Sequence, residues 1–304
     1  MKTIEIRNPF NNTLIEKVTL QSETEVQAAL DLAYNAYLDQ KNWLPKYEIV
    51  KILEKTMEIM SSRIEELTII AANEGGKPYI DSKVEVQRAI NGIKVAIEHM
   101  GSFEGKEIAM GHTQSSVNRM AYTMKEPIGV VLSISAFNHP LNLAIHQVVP
   151  AIAVGSPVII RPSASTPLST INFINILYEA GLPKQFAQVV VCDRVAAENM
   201  VKSPKISFLS FIGSAAVGWH LNSVVAQGTR VALEHGGVAP VIVEKDADMH
   251  ELIPALLKGG FYHAGQVCVS VQRVFVHESI IGEVAQQMVD GAKKLIVGNQ
   301  LDPK

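Results

Sequence analysis

Cysteine is scarce: Cys192 and Cys268 are the only two in 304 residues. Two thiols cannot build a disulfide framework. Positive charge is not in excess either. Lys and Arg total 27 against 30 Asp and Glu, for a net charge of −3 with no basic tail or stripe, so nucleic acid is not an expected partner. No apolar run is long enough to span a bilayer, so no membrane partner is expected. Met1-Lys2-Thr3 leads straight into the strand-like Ile4-Glu5-Ile6-Arg7, with no secretory leader before it. The expected location is the cytoplasm, where Asn11-Asn12-Thr13 is not a glycosylation site. Familiar chemical motifs are missing too. No Gly-x-Gly-x-x-Gly occurs. Gly213 to Gly218 has P-loop glycine spacing but lacks the following Lys and Ser/Thr, which argues against a triphosphate cradle. There is no Cys-x-x-Cys and no His-Glu-x-x-His, and His139 and His146 lack one-turn spacing, so no metal is expected. A Gly-x-Ser-x-Gly nucleophile elbow is also absent.

What is present is ordinary globular material, 47% apolar and 19% charged, enough for one large domain or two of common size. Residues 22–74 are helical in pattern. Ser22 and Glu25 form a capping box, and the apolar spacing over 45–72 reads as one continuous run. Gly75-Gly76-Lys77-Pro78 breaks it, and a helix from about Asp81 to Met100 follows. The polar stretch 104–126 ends in alternation from Val117 to Met124, which predicts an exposed hairpin suited to contact with another subunit.

From Pro127 the pattern changes. Near-continuous apolar runs at 128–134, 157–160, 187–191 and 206–211 alternate with helical segments, and shorter strands follow at 231–233 and 241–243. Such runs indicate a parallel sheet covered on both faces. Ligands of these sheets bind beyond the carboxyl ends of the strands, here 135–140, 161–167, 192–194, 212–214 and 234–237. Gly213-Ser214 at a helix start could hold a diphosphate or be a tight turn. Glu234 could face a substrate or solvent. Cys192 sits in a buried-strand pattern and is expected to be inert. Cys268 follows Gly265-Gln266-Val267. Local sequence leaves open whether it is a nucleophile or a buried structural thiol.

Taken together, the strand-end motifs are more specific. Phe137-Asn138-His139-Pro140, Arg161-Pro162-Ser163, Phe211-Ile212-Gly213-Ser214, Leu233-Glu234-His235-Gly236-Gly237 and Gly265-Gln266-Val267-Cys268 resemble, in order, motifs of the aldehyde dehydrogenase superfamily. Arg7-Asn8-Pro9-Phe10 and Glu74 to Pro78 are similar to its N-terminal half, so the resemblance covers essentially the whole chain. It implies an α/β fold: a Rossmann-like parallel-sheet cofactor domain over 1–234 with a projecting hairpin, then part of an α/β catalytic domain over 235–304. It implies oxidation of an aldehyde to a carboxylic acid with hydride transfer to NAD or NADP. Cys268 is then the nucleophile, Asn138 an oxyanion donor and Glu234 the base that hydrolyses the thioester. Cofactor contacts are implied for Ser135, Phe137, Arg161, Ser163, Ala164, Gly213, Ser214, Val217, His235 and Gly236.

Some positions depart from the family pattern. Arg161 replaces a usual lysine, and Ala164 stands where NAD-preferring members carry a glutamate, which favours NADP. His146 replaces an aromatic residue of the substrate tunnel and suggests a polar aldehyde. Family chains continue well past the nucleophile. The sequence is thus expected to carry only the start of the catalytic domain, to lack one ribose anchor, and to turn over poorly alone. The full-length form is expected to be a homo-oligomer. The alternatives are an inactive fragment or assembly partner, and a coenzyme A-acylating dehydrogenase, against which Glu234 argues.

Overall fold

The computed structural model describes residues 2–302. Strands β1 (Thr3–Arg7) and β2 (Leu14–Thr19) pair antiparallel. Helix α1 (Glu23–Leu38) starts at the Ser22–Glu25 capping box, with both reciprocal bonds formed. The continuous helical pattern over 45–72 is two helices, α2 (Lys46–Ser62) and α3 (Ile64–Gly75). Arg63 leaves helical geometry (φ −116°, ψ 23°) without a glycine or proline to mark it. The break lets Leu67 and Ala71 bury on a stripe of their own. Helix α4 (Tyr79–Met100) follows, then the exposed hairpin β3 (Glu107–Ile108) and β4 (Ala121–Tyr122). It occupies the predicted stretch but has strands of only two residues.

The core is built from β5 (Val130–Ile134), α5 (Pro140–Ala153), β6 (Val158–Arg161), α6 (Leu168–Glu179), β7 (Ala187–Val189), α7 (Arg194–Val201), β8 (Ile206–Gly213), α8 (Ala215–Val224) and β9 (Arg230–His235). All five strands run parallel in the order β7-β6-β5-β8-β9. Alternate strand residues feed two apolar layers. Val131, Val158 and Ile160 pack with Leu53, Ile145 and Phe173 on one face. Leu132, Ile134 and Ile159 pack with Leu30, Met200 and Leu209 on the other. The chain leaves β5 toward β6 on one side and returns to β8 on the other. The crevice between the ends of β5 and β8 is therefore the switch point at which α/β sheets bind ligands. Buried Gln147 of α5 ties it together, donating to Ile134 O (3.3 Å) and Ser210 O (3.0 Å).

After β9 come β10 (Val241–Val243), α9 (Met249–Phe261), β11 (Val274–Val276) and α10 (Ile281–Ala292). β10 and β11 form a separate parallel pair. β11 begins only at Val274; just before it, Val271 N donates to Gly259 O at 2.9 Å. No helix among the described residues is long and apolar enough to cross a membrane.

Candidate active site

The loops after β5 and β6 are tied to each other. Ser135 N donates to Arg161 O (3.0 Å), and Thr166 Oγ1 donates to Phe137 O (3.3 Å). Buried carboxylates reach across from the N-terminal helices and start the next two helices. Glu85 of α4 accepts from Leu141 N and Asn142 N, each at 3.0 Å, at the head of α5. Glu74 of α3 accepts from Leu168 N (2.7 Å) and Ser169 N (2.8 Å) at the head of α6. Each satisfies two donors that a helix leaves unpaired, at the end where negative charge is favoured. The Asn138 side-chain amide, just before α5, bonds to no described residue, and its Oδ1 is buried.

The Cys268 loop is built differently. Past α9, His263 (φ 48°), Ala264 (φ 53°) and Gly265 (φ 74°) are successively left-handed. Glycine adopts this geometry freely, whereas the two preceding residues are strained by it. The turn sends Gln266–Cys268 back toward the end of β9, where Gly237 N donates to Cys268 O (3.1 Å) and Gln272 N to Val238 O (3.0 Å). Burial pushes the Cys268 thiol above its ordinary pKa, and the nearby Glu234 carboxylate pushes the same way. Backbone groups of Cys268 and Val269 oppose this. Cys192 is only 3% exposed, and burial raises it as well.

A cavity of about 970 Å³ opens at the switch point and runs to the Cys268 loop. Asn138, Glu234 and Cys268 line it, as do Ser135, Phe137, Arg161, Ser163, Gly213, Ser214, Val217 and Gly236. Two of the expected site residues are not in its walls. Ala164 is exposed on the loop after β6. The His235 ring packs edge-on to Phe211 and Trp219, with centroids at 6.3 and 5.6 Å.

A model of the aldehyde dehydrogenase family matches residues 1–304. The chain belongs to the aldehyde dehydrogenase family. It is 33% identical over 300 residues to a 3-sulfolactaldehyde dehydrogenase of Priestia megaterium, covering 98% of this chain and 62% of the relative. It is 36% identical over 307 residues to a lactaldehyde dehydrogenase of Methanocaldococcus jannaschii, covering 99% and 64%. Its fold superposes with TM-score 0.92 on a glyceraldehyde-3-phosphate dehydrogenase of M. jannaschii complexed with NADP, at 35% identity, covering 99% of this chain and 65% of that one. The chain thus spans about 62–64% of the length of these curated relatives.

The switch-point end of this aldehyde dehydrogenase chain fits a nicotinamide dinucleotide. Ser135 Oγ and Arg161 Nε are buried with no partner among the described residues, on the cavity wall. Arg161 Nη2 is held by Cys192 O at 3.4 Å, which turns the guanidinium along the strand ends. A Cβ on Gly213 would lie 2.6 Å from the Phe211 ring, so only glycine lets the chain pass there into α8. Ser214 caps α8, accepting from Val217 N at 3.4 Å. Among the described residues no group of three or more His, Cys, Asp or Glu could hold a metal ion.

Sequence reasoning missed the polar residues contributed by α3 and α4. Glu74 and Lys77 entered it only as part of a resemblance, and Glu85 and Arg88 not at all. Glu85 had a signal: it lies on the apolar stripe of α4, between Ser82 and Ala89, where a carboxylate needs a partner. Arg88 is exposed beside a groove of about 710 Å³ between α4 and α5, and His146 lines both that groove and the main cavity.

Proposed function

We propose that this chain carries the cofactor site and the nucleophile of an NAD(P)-dependent aldehyde dehydrogenase that oxidises a small anionic aldehyde to its carboxylic acid. One observation carries the reading: the Cys268 thiol, the Glu234 carboxylate and the unpaired Asn138 amide meet in a single cavity that reaches the switch point of the sheet. With its pKa raised, Cys268 rests as a thiol. As sulfur adds to the aldehyde carbon, Glu234 takes the proton. The carbonyl oxygen becomes an oxyanion, held by the Asn138 amide and the Cys268 backbone N–H. Donors of this kind are worth about 2.7–4 kcal/mol each. A nicotinamide held at the switch-point end would supply the hydride acceptor, and loss of hydride from the adduct carbon as the oxyanion re-forms its carbonyl leaves a thioester on Cys268. Glu234 gives its proton to solvent, then takes one from the water that attacks the thioester. The Cys268 thiolate leaves and takes the proton back from Glu234, which restores both groups, and the acid is released. A base beside the sulfur favours water over coenzyme A as acyl acceptor.

Cofactor binding divides along the strand ends. Arg161, Ser163 and Ala164 would meet the adenosine ribose. Gly213 and Ser214 would meet the diphosphate, and Val217 the adenine. Ser135 and Phe137 would contact it through their backbone, with Gly236 and the backbone of His235 toward the nicotinamide. With no acid at 164, NADP serves at least as well as NAD.

Arg88 supports the substrate class. It forms no ion pair with a described residue, and its charge acts on Tyr262 and on His146, which lines both the groove beside Arg88 and the main cavity. A cation on that path favours an aldehyde carrying a sulfonate, phosphate or carboxylate. The substrates named for the Priestia enzyme and for the archaeal structure carry a sulfonate and a phosphate. The test is a panel of charged and neutral aldehydes with both cofactors, on the full-length protein, with products analysed with and without coenzyme A. Charged aldehydes should lead neutral ones in kcat/KM by about tenfold, which is about 1.4 kcal/mol, and Arg88→Met should abolish that lead. Equal use of neutral aldehydes would reject the substrate class, and an acyl-coenzyme A product would reject hydrolysis.

A further inference from the structure

Beneath Asn138 lies a cluster of charges that the chemistry above does not use. Lys77 is 1% exposed and Glu85 2%. They form an ion pair with each other. Lys77 Nζ also donates to Asn138 O (3.3 Å) and lies 3.0 Å from His139 Nδ1. His139 Nδ1 is in turn 3.7 Å from Glu85 Oε2. The other Glu85 oxygen takes both free N–H groups at the head of α5. Burial raises the Glu85 carboxyl, but His139, the charge of Lys77 and the backbone donors outweigh it, and the group is held below the usual carboxylate range.

Burying an ion pair costs several kcal/mol per ion, and an apolar pair of the same volume often stabilises a core as well or better. What the apolar pair could not do is grip the backbone on both sides of residue 138. The cluster holds the carbonyl of Asn138 and, three and four residues on, the N–H groups of Leu141 and Asn142. It also touches the nucleophile loop. The His139 ring stacks on Tyr262 (centroids 6.3 Å, 20° between planes), and His263, which opens the left-handed turn, lies 6.5 Å away.

Resting on the reading of Asn138 and Cys268 given above, we propose that Lys77, Glu85 and His139 are positioning residues that fix the Asn138 amide relative to the Cys268 loop. Lys77 sets the height of the Asn138 peptide, and Glu85 sets the first turn of α5 from which it hangs. His139 transmits the placement to Tyr262 and the loop that ends in Cys268. The cluster acts on acylation, when the oxyanion forms, and leaves cofactor binding alone.

The experiment is rapid-mixing measurement of the first-turnover burst of reduced cofactor in the full-length protein, with Asn138→Ala as the second arm of a double-mutant cycle. A misplacement of about 1 Å costs about 10²-fold, so Lys77→Met should slow the burst by about 10–100-fold, leave cofactor affinity within about threefold, and leave iodoacetamide labelling of Cys268 in place. In the Asn138→Ala background the same change should cost less than about threefold, because the group being positioned is gone. Lys77→Met strands Glu85 in the core and can unfold the protein. Lys77→Met with Glu85→Leu removes both charges together and should fold, still with the slow burst. A normal burst in that folded double variant, or full additivity with Asn138→Ala, overturns the proposal and leaves the aldehyde dehydrogenase reading intact. A wild-type protein without any aldehyde-dependent burst overturns both.

Discussion

The sheet half and the segment after it position chemistry in opposite ways. In β5 every residue is buried, and the helices that follow β5 and β6 start on carboxylates sunk in the core. In the segment after β9, the buried apolar cluster is Ile253, Leu256 and Val284, while Ile242 of β10 is 77% exposed and Phe275 of β11 57%. Asn138 therefore hangs from a thick, charged scaffold. Cys268 hangs from a left-handed turn and a few backbone bonds to Gly237 and Val238. The segment after β9 has too small a core to hold Cys268 unaided, and it gains its register by docking on the sheet half.

The strongest way to break this contrast is to separate the thiols. Iodoacetamide should label Cys268 first, and Cys192 only as the sheet half opens. Cys268→Ser should lose turnover by on the order of 10⁴-fold or more, as for other nucleophiles that act within a unit, while cofactor binding persists. Comparable labelling of Cys192 in the folded protein would show that the sheet half is not the more closed of the two. Normal turnover by the serine variant would remove Cys268 from the mechanism.

Glu234 sits on the border, at the end of the last sheet strand and against the thiol of the next segment. Glu234→Gln should slow steady-state turnover by about 10²–10⁴-fold, the usual worth of a general base, and reduce the first-turnover burst less. Equal losses in burst and steady state would assign Glu234 to thiol activation alone and would mean that another group prepares the water.

The sheet half was largely legible in the sequence, and the reason is local. A capping box such as Ser22–Glu25, apolar runs such as 130–134 and 158–160, and a glycine before Cys268 each state their geometry within a few residues. What escaped was set by tertiary contact. Arg63 breaks a helix with nothing local to mark it. His263 and Ala264 adopt a backbone normally left to glycine. Glu85 and Glu74 look like solvated charges until the backbone N–H groups at residues 141–142 and 168–169 come against them, and Lys77 does until it donates to Asn138 O. Their backbone partners lie 56 or more residues away along the chain, beyond the reach of any periodicity.

Glu74 sharpens the contrast through pH. Its carboxyl is pushed up to about 7, chiefly by burial, with the α6 donors and Ser169 opposing. The folded state therefore binds a proton more tightly than the unfolded chain, whose glutamates titrate near 4.3. Between about pH 4.3 and 7 the folded protein holds a proton that the unfolded one has lost, so stability falls as pH rises through that window and is level above it. The contribution is about 4 kcal/mol across the window. It should appear as a pH-dependent difference in unfolding free energy between wild type and Glu74→Gln, measured by denaturant titration. A difference independent of pH would mean that Glu74 is ionised throughout.

The smallest effect concerns the rim of the thick half, where the cofactor's adenosine end is proposed to lie. The loop after β6 carries no acid between Arg161 and Pro167. Ser163 and Ser165 share a hydrogen bond at 2.9 Å, and Ala164 between them is exposed. A 2′-phosphate beside this loop would meet hydroxyl donors and the Arg161 guanidinium, which suits phosphate better than an ammonium does. A glutamate at 164 would face it with a like charge. Two unit charges about 4 Å apart interact by about 1 kcal/mol in bulk water and about 4 kcal/mol near a protein surface. Ala164→Glu should therefore lower kcat/KM for NADP by about tenfold or more, at about 1.4 kcal/mol per decade. NAD has no charge at that position, so its value should move much less, and the ratio of the two is the measurement. Because the loop is anchored through Ser135 N and Thr166 to a scaffold that an exposed side chain does not disturb, the substitution should leave the burst with saturating NAD unchanged. A fall in NAD and NADP efficiency together would show that the rim is coupled to the chemistry, and that even the thick half positions its ligands through its exposed loops. An unchanged ratio would place the 2′-phosphate away from residue 164.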